Sequence, residues 1–173
     1  MAWIDPSALR SFVKNTNADD EAMIALAVDV GCGKVEELCG PIANTTVTET
    51  VTIRGDQMVT KYRATALTAI ATESGTTLTT ADWVIDGQLM RNKAGTCYAG
   101  RLTLTYTAGY FDATNLSASA PAWARSAALH IGQQHMRTLR RFGQTTDGPA
   151  GFLVPAAAME EMKDYLLTPG GFA

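Results

Sequence analysis

Arg101-Leu-Thr-Leu-Thr-Tyr-Thr-Ala-Gly-Tyr110 sets Leu102, Leu104 and Tyr106 on one side of an extended chain and Arg101, Thr103, Thr105 and Thr107 on the other. This period of two is that of a half-buried β-strand. Gly109 then permits a backbone turn that a side chain would oppose. Downstream, Pro121 opens a helix that runs to Phe142, where the missing proline N–H is no loss in a first turn. A strand feeding a helix that ends in Arg137, Arg140 and Arg141 reads as a scaffold presenting a surface, not as a catalytic pocket.

Upstream of this strand the composition changes. Seventeen threonines fall between Thr45 and Thr107, against one before them. Threonine is β-branched and fits a pleated, half-buried surface, so this span is the sheet. Val47, Glu49, Val51 and Ile53 alternate with Thr48, Thr50 and Thr52. Arg54-Gly55-Asp56 turns the chain into a strand at Met58–Ala64, Leu67–Thr72 follows, and Glu73-Ser-Gly75 turns it again. Trp83-Val-Ile-Asp86 and Gln88-Leu-Met90 flank Gly87, where Asp86-Gly87 is a strong hairpin signal. Asn92–Gly95 is a further turn. With no crossover helix between strands, a single central antiparallel sheet is expected.

Helices lie on both sides of the sheet in sequence. Asp5-Pro6 pairs an N-cap with proline at the first helical position, and Leu9, Phe12 and Val13 form the apolar stripe of a short helix. Asp19, Asp20 and Glu21 put negative charge at the start of a second helix, as the helix dipole favours. Ile24, Val28, Gly31, Val35 and Leu38 then recur at helical spacing as far as Gly40-Pro41, the stop. Gly31 and Gly33 cost helix stability, which points to close packing or a bend. At the other end, Pro155–Leu167 reads as a short helix with Met159, Met162 and Leu166 on one side and Tyr165 beside them. The order is helices, sheet, helices: an α+β chain with N-terminal helices, a central antiparallel sheet, a long helix after the last strand, and a short C-terminal helix and tail. Without repeats or an obvious linker, residues 1–173 read as one domain, with a flexible C-terminal segment from about residue 143 to 173.

At 173 residues the chain can bury on the order of 70% of its unfolded surface. Charged residues make up 18%, below the usual 25% or so, either because partners cover part of the surface or because threonine fills the polar positions. The net charge of −3 argues against a general nucleic-acid binder, which is normally strongly basic. Cys32 and Cys39 sit seven apart on a helix, about 10 Å by helical rise, too far for a disulfide. They and Cys97 read as reduced thiols of an intracellular setting, with Cys97 a buried strand thiol. Met1-Ala-Trp-Ile-Asp-Pro lacks the regions of a signal peptide, and no stretch approaches the roughly 18 apolar residues of a membrane span.

The search for chemistry returns little. His130 and His135 are five apart on one helix, which turns them roughly 140° from each other, whereas helical zinc pairs use a spacing of four. Gly31-Cys-Gly33-Lys34 resembles part of a phosphate loop, but Val28 and Val35 stand where glycine and serine or threonine are needed. Asp19-Asp20-Glu21 and Glu160-Glu161 read as solvated caps. No catalytic residue, metal ligand or cofactor is expected. The long helix says more. Leu129, Gly132, Met136 and Leu139 form an inward stripe, His130, Gln134, Arg137 and Arg141 a polar one, and Trp123, Ala127 and Ile131 a third, apolar side. Either the helix is sandwiched between the sheet and the N-terminal helices, or one apolar side meets a neighbouring subunit.

Leu104-Thr-Tyr-Thr-Ala-Gly-Tyr110, then Pro121 and an Ala-rich helix ending in arginines, resembles the head-tail connector (adaptor) proteins of tailed double-stranded-DNA bacteriophages. The resemblance extends in order over nearly the whole chain: Asp19-Asp20, the helix to Gly40-Pro41, the threonine-rich strands with Trp83-Val-Ile-Asp86, and Leu153-Val-Pro155 before a helix reaching Tyr165-Leu-Leu167. The chain departs from the pattern in a longer Tyr110–Pro121 loop and a Gly-rich tail.

The resemblance implies a structural virion protein without catalysis. Its subunits would form a ring of about twelve copies with heterologous contacts. The ring would dock under the portal protein and contact the next neck protein, a stopper or tail terminator. It would surround a channel that double-stranded DNA passes without specific binding, in a virion neck assembled in the host cytoplasm. Residues then expected at subunit or portal contacts are Trp123, Arg125, His130, Arg137, Arg140, Arg141, Phe152, Met159, Met162, Tyr165 and Leu166, with the last helix reaching away from the body and ordering on docking. The alternatives are a head-completion stopper or tail terminator, or a β-rich ligand-binding domain or enzyme.

Overall fold

The computed structural model describes residues 2–14, 17–112, 120–142 and 154–167, the side chains of 18 and 140–142 left aside. It is an α+β chain, and its backbone divides into two compact units. Met1–Cys39 and Ser119–Leu166 form a helical unit, while Gly40–Ala118 and Leu167–Ala173 form a β unit. No one linker marks the division, because the helical unit is assembled from both ends of the chain.

The β unit holds two sheets where one was expected. Strands β1 (Thr45–Gly55), β6 (Tyr98–Ala108) and β3 (Ala64–Thr72) form the first, in the order β1-β6-β3. Strands β2 (Gln57–Val59), β5 (Leu89–Asn92) and β4 (Trp83–Asp86) form the second, in the order β2-β5-β4, and all pairs are antiparallel. The alternation read in the sequence survives intact: Leu102, Leu104 and Tyr106 are buried, and Thr103 opposes Thr50 on the outer face. Thr48 and Thr105 hydroxyls stand 3.1 Å apart across the ladder, a cross-strand pair of the kind that stabilises sheets.

The strand expected at Met58–Ala64 is cut short at Val59 for a specific reason. The Thr60 hydroxyl donates to the Tyr62 and Gln88 carbonyls, and the Gln88 side-chain amide donates back to the Thr60 and Lys61 carbonyls. These bonds satisfy the carbonyls of residues 60–62 outside any ladder, and the chain bends before Ala64 begins β3. The two sheets share one core, in which Ile53, Ile70, Leu102, Leu104 and Tyr106 of the first meet Met58, Trp83 and Met90 of the second. Gly109, at φ +134°, passes so close to Asn44 that a Cβ there would lie 2.6 Å from its Cα, which fixes the turn out of β6 as glycine.

In the helical unit, α1 (Pro6–Phe12) is capped by the Asp5 carboxylate, which accepts the Ser7 amide at 2.7 Å. α2 spans Glu21–Cys39, and Gly40 at φ +82° stops it, as its C-terminal position predicts. α3 runs Ala122–Phe142 and α4 Ala156–Met162, shorter than the expected Pro155–Leu167. α3 packs against α1, α2 and α4. Of the two glycines in α2, only Gly31 serves close packing: a Cβ there would stand 2.3 Å from the Ala128 carbonyl oxygen of α3. Gly33 has open space around it. Leu9, Ile24, Val35 and Ile131 are fully buried, each contributing about 1.5–3 kcal/mol of burial free energy.

Candidate interaction surface

α3 positions most of the residues singled out from the sequence. Its buried arc comprises Ala124, Ala127, Ala128, Ile131, Gly132 and Met136, with Leu129 and Leu139 half-buried beside it. The small residues let α2 approach until backbones touch: a Cβ on Gly132 would sit 2.9 Å from the Ala27 carbonyl oxygen. Both apolar sides of α3 are thus occupied inside its own unit, by α2 on one flank and α1 and α4 on others. The surplus apolar surface inferred from the sequence is taken up within the chain and gives no independent sign of a neighbouring subunit.

Three members of the polar stripe have described side chains. Gln134 and Arg137 are exposed, and His130 is half-buried with its ring edge-on to Phe12, centroids 5.1 Å apart. Arg125 is exposed near the start of the helix. His135, on the packed side, has its pKa lowered by burial, which disfavours the imidazolium there. Arg140 and Arg141 fall on the last turn of α3 with side chains outside the described set, and Phe152 lies outside the described residues.

α4 corrects a second expectation. It is packed on α3 and does not reach away. Trp123 stacks on Tyr165 with centroids 4.0 Å apart and planes 4° from parallel, and the Ser126 hydroxyl donates to the Glu161 carboxylate at 3.2 Å. Met162 is 0% exposed, so it belongs to the interior and not to a contact surface. Met159 and Leu166 are each 37% exposed and remain available. The structure therefore brings Trp123 and Tyr165 together as a half-buried aromatic pair and leaves Arg125, Arg137, Met159 and Leu166 open around the same helix pair.

Sequence reasoning missed two groups of exposed apolar residues. Phe12 belongs to the apolar stripe of α1 in the sequence reading, and Leu26 is not singled out there; both are exposed, on α1 and α2 respectively. Val59, Val84 and Leu89 are exposed on the second sheet, where Val59 opposes Leu89. The alternation of β5, with Leu89 and Arg91 out and Met90 and Asn92 in, was the available signal. Cys97 is exposed and not a buried strand thiol, because the Asn92 side-chain oxygen accepts the Ala94 and Thr96 amides and the folded turn leaves Cys97 outside it.

Among the described residues, no group of three or more histidine, cysteine or carboxylate side chains is placed to hold a metal ion, and no helix is long and apolar enough to cross a membrane. Fold and surface together define an α+β chain with an aromatic-centred helix pair and an arginine-bearing polar stripe. Comparison with protein-family models and with curated proteins finds no match for this chain.

Proposed function

We propose that this chain is a head-tail connector subunit of a tailed bacteriophage, a structural virion protein that joins the portal to the next neck component. The observation that carries the reading is the strand-to-helix run at residues 101–142: a half-buried strand, the obligatory Gly109 turn, and α3 opening just after Pro121 with Arg137 exposed on its polar stripe. That run includes the motif from which the likeness to the connector family is read, and the likeness rests on the order of the motifs. The remaining likenesses lie on both sides of it, three before and one after, in order along the chain.

In this reading the subunits form a ring and the chain performs no chemistry of its own, with no cofactor. Arg125 and Arg137 meet acidic groups on a neighbour or on the portal, and Met159 and Leu166 supply apolar contact beside them. Such a mixture of arginine and partly exposed apolar side chains around an aromatic pair is the composition of an interface core. The net charge of −3 suits a channel wall that DNA slides past without being held. The test is to mix the purified protein with its portal ring and image the particles: a layer of added density on one end of the portal is expected, and portal rings left bare contradict the reading.

A further inference from the structure

Four strand edges bound the two sheets, and three of them carry a feature that discourages a further strand. β2 and β4 are only three and four residues long. β3 has two register shifts along β6, and its far side is taken by Leu78, whose amide donates to the Ile70 carbonyl at 2.9 Å. β1 has no such protection. It runs eleven residues in unbroken register with β6, contains no proline, and among the described residues no strand pairs with its outer side. β2, which follows it, pairs with β5 instead.

The side chains of β1 do not guard the edge either. Edges are commonly blunted by charge, but the outer face of β1 carries Thr46, Thr48, Thr50 and Thr52, with Arg54 only at its end. Its one acid, Glu49, is turned inward, accepting from the Tyr106 hydroxyl at 2.8 Å and the Lys61 amide at 2.9 Å. A long, regular, nearly uncharged edge is a template for strand addition.

We propose that β1 is the strand through which two copies of this chain pair, antiparallel and edge to edge, joining their three-stranded sheets into one. The strand is complementary to itself. With the two-fold axis at Val51, Thr50 meets the partner's Thr52, Thr48 meets the partner's Arg54, and Glu49 meets the partner's Ile53. Threonines stay on the outer face, apolar residues stay inside, and no like charges oppose each other. A two-fold at Glu49 would set two carboxylates together and is disfavoured for that reason. The pairing carries the threonine ladder, seen at Thr48–Thr105 and at Thr50–Thr103 (3.5 Å), one strand further. The bulges of β3 and its Leu78 cover rule it out as a head-to-tail partner for β1. The pairing uses the β unit and does not rest on the connector reading, whose contacts are assigned to the helical unit.

The experiment measures the mass of the full chain in solution by analytical ultracentrifugation over a wide concentration range. The wild type is expected as a dimer in equilibrium with monomer. Thr50→Lys/Thr52→Lys and Thr50→Glu/Thr52→Glu, both on the exposed face, should each weaken the dimer roughly tenfold or more by opposing like charges, and mixing the two should restore it as a heterodimer. Circular dichroism checks that both variants fold; if either does not, amide exchange of wild-type β1 at low and high concentration replaces it, with slowing at high concentration expected. A wild type that stays monomeric throughout, a dimer indifferent to both double variants, or β1 amides indifferent to concentration overturns the proposal.

Discussion

A Cβ placed on Gly31 of α2 would stand 2.3 Å from the carbonyl oxygen of Ala128 on α3, closer than any real side chain comes to a backbone atom. The two helices are held at this spacing by small residues on both sides, so a single methyl group has no flexible neighbour to displace. Gly31→Ala should destabilise the protein by about 1–3 kcal/mol through overpacking. Gly33→Ala, with open space around the site, should instead stabilise it by up to about 1 kcal/mol through helix propensity. Denaturant midpoints of the two variants measure the contrast, and equal effects would refute the close approach.

Tyr106 offers a pH test in the β unit. Burial, then the hydrogen bond it donates to Glu49, raise its pKa above the ordinary tyrosine value, while the Tyr62 amide donates to its oxygen at 3.3 Å. An acid whose folded pKa is raised contributes stability that is complete below the unfolded value, about 10, and is lost as pH climbs through the folded value. Stability should therefore hold to about pH 10 and decline above it. Tyr106→Phe should cost about 1–3 kcal/mol at neutral pH by stranding its partners, and should flatten the alkaline decline. A decline of the same size in the variant would assign it to other groups.

The three thiols should react at very different rates. Cys97 is exposed, whereas Cys32 and Cys39 are buried in the helical unit, and burial raises both their pKa values, that of Cys39 to about 11. Since the thiolate is the nucleophile, a maleimide at neutral pH should label Cys97 promptly and the other two only on unfolding. Mass spectrometry of the native protein should find one adduct. Two or three fast adducts would mean that α2 is not packed as described.

The contrast between β6 and the final helix shows how much of this structure its sequence discloses. Strict alternation from Leu102 to Thr107 leaves one face for the core, so that strand was legible, as were the Asp5 cap, the Gly40 stop and the Asp86-Gly87 hairpin. The division into two sheets was not legible. It depends on Thr60 and Gln88, twenty-eight residues apart, trading hydrogen bonds that end β2 at Val59. The same limit applies to the candidate surface. The exposure of Arg137 followed from helical periodicity, but the burial of Met162 and the Trp123–Tyr165 stack depend on how α4 lies on α3, which no local pattern encodes.

That stack is itself a target. Tyr165→Ala removes a ring lying 4.0 Å from Trp123, an interaction worth about 0.5–1.5 kcal/mol beyond area burial, and should loosen α4 more than it lowers global stability. Hydrogen exchange should rise in α4 while α2 and β6 keep their protection. Uniform loss of protection would show that α4 is integral to the whole unit.

The most direct measurement of the connector reading is cryo-electron microscopy of this protein mixed with its portal ring, with Arg137→Glu/Arg141→Glu as the companion variant. The expected result is a ring of wild-type subunits seated on one end of the portal, with α3 and α4 at subunit or portal contacts. The folded double variant should show that layer weakened or missing. Portal particles that carry no added layer with the wild type would contradict it.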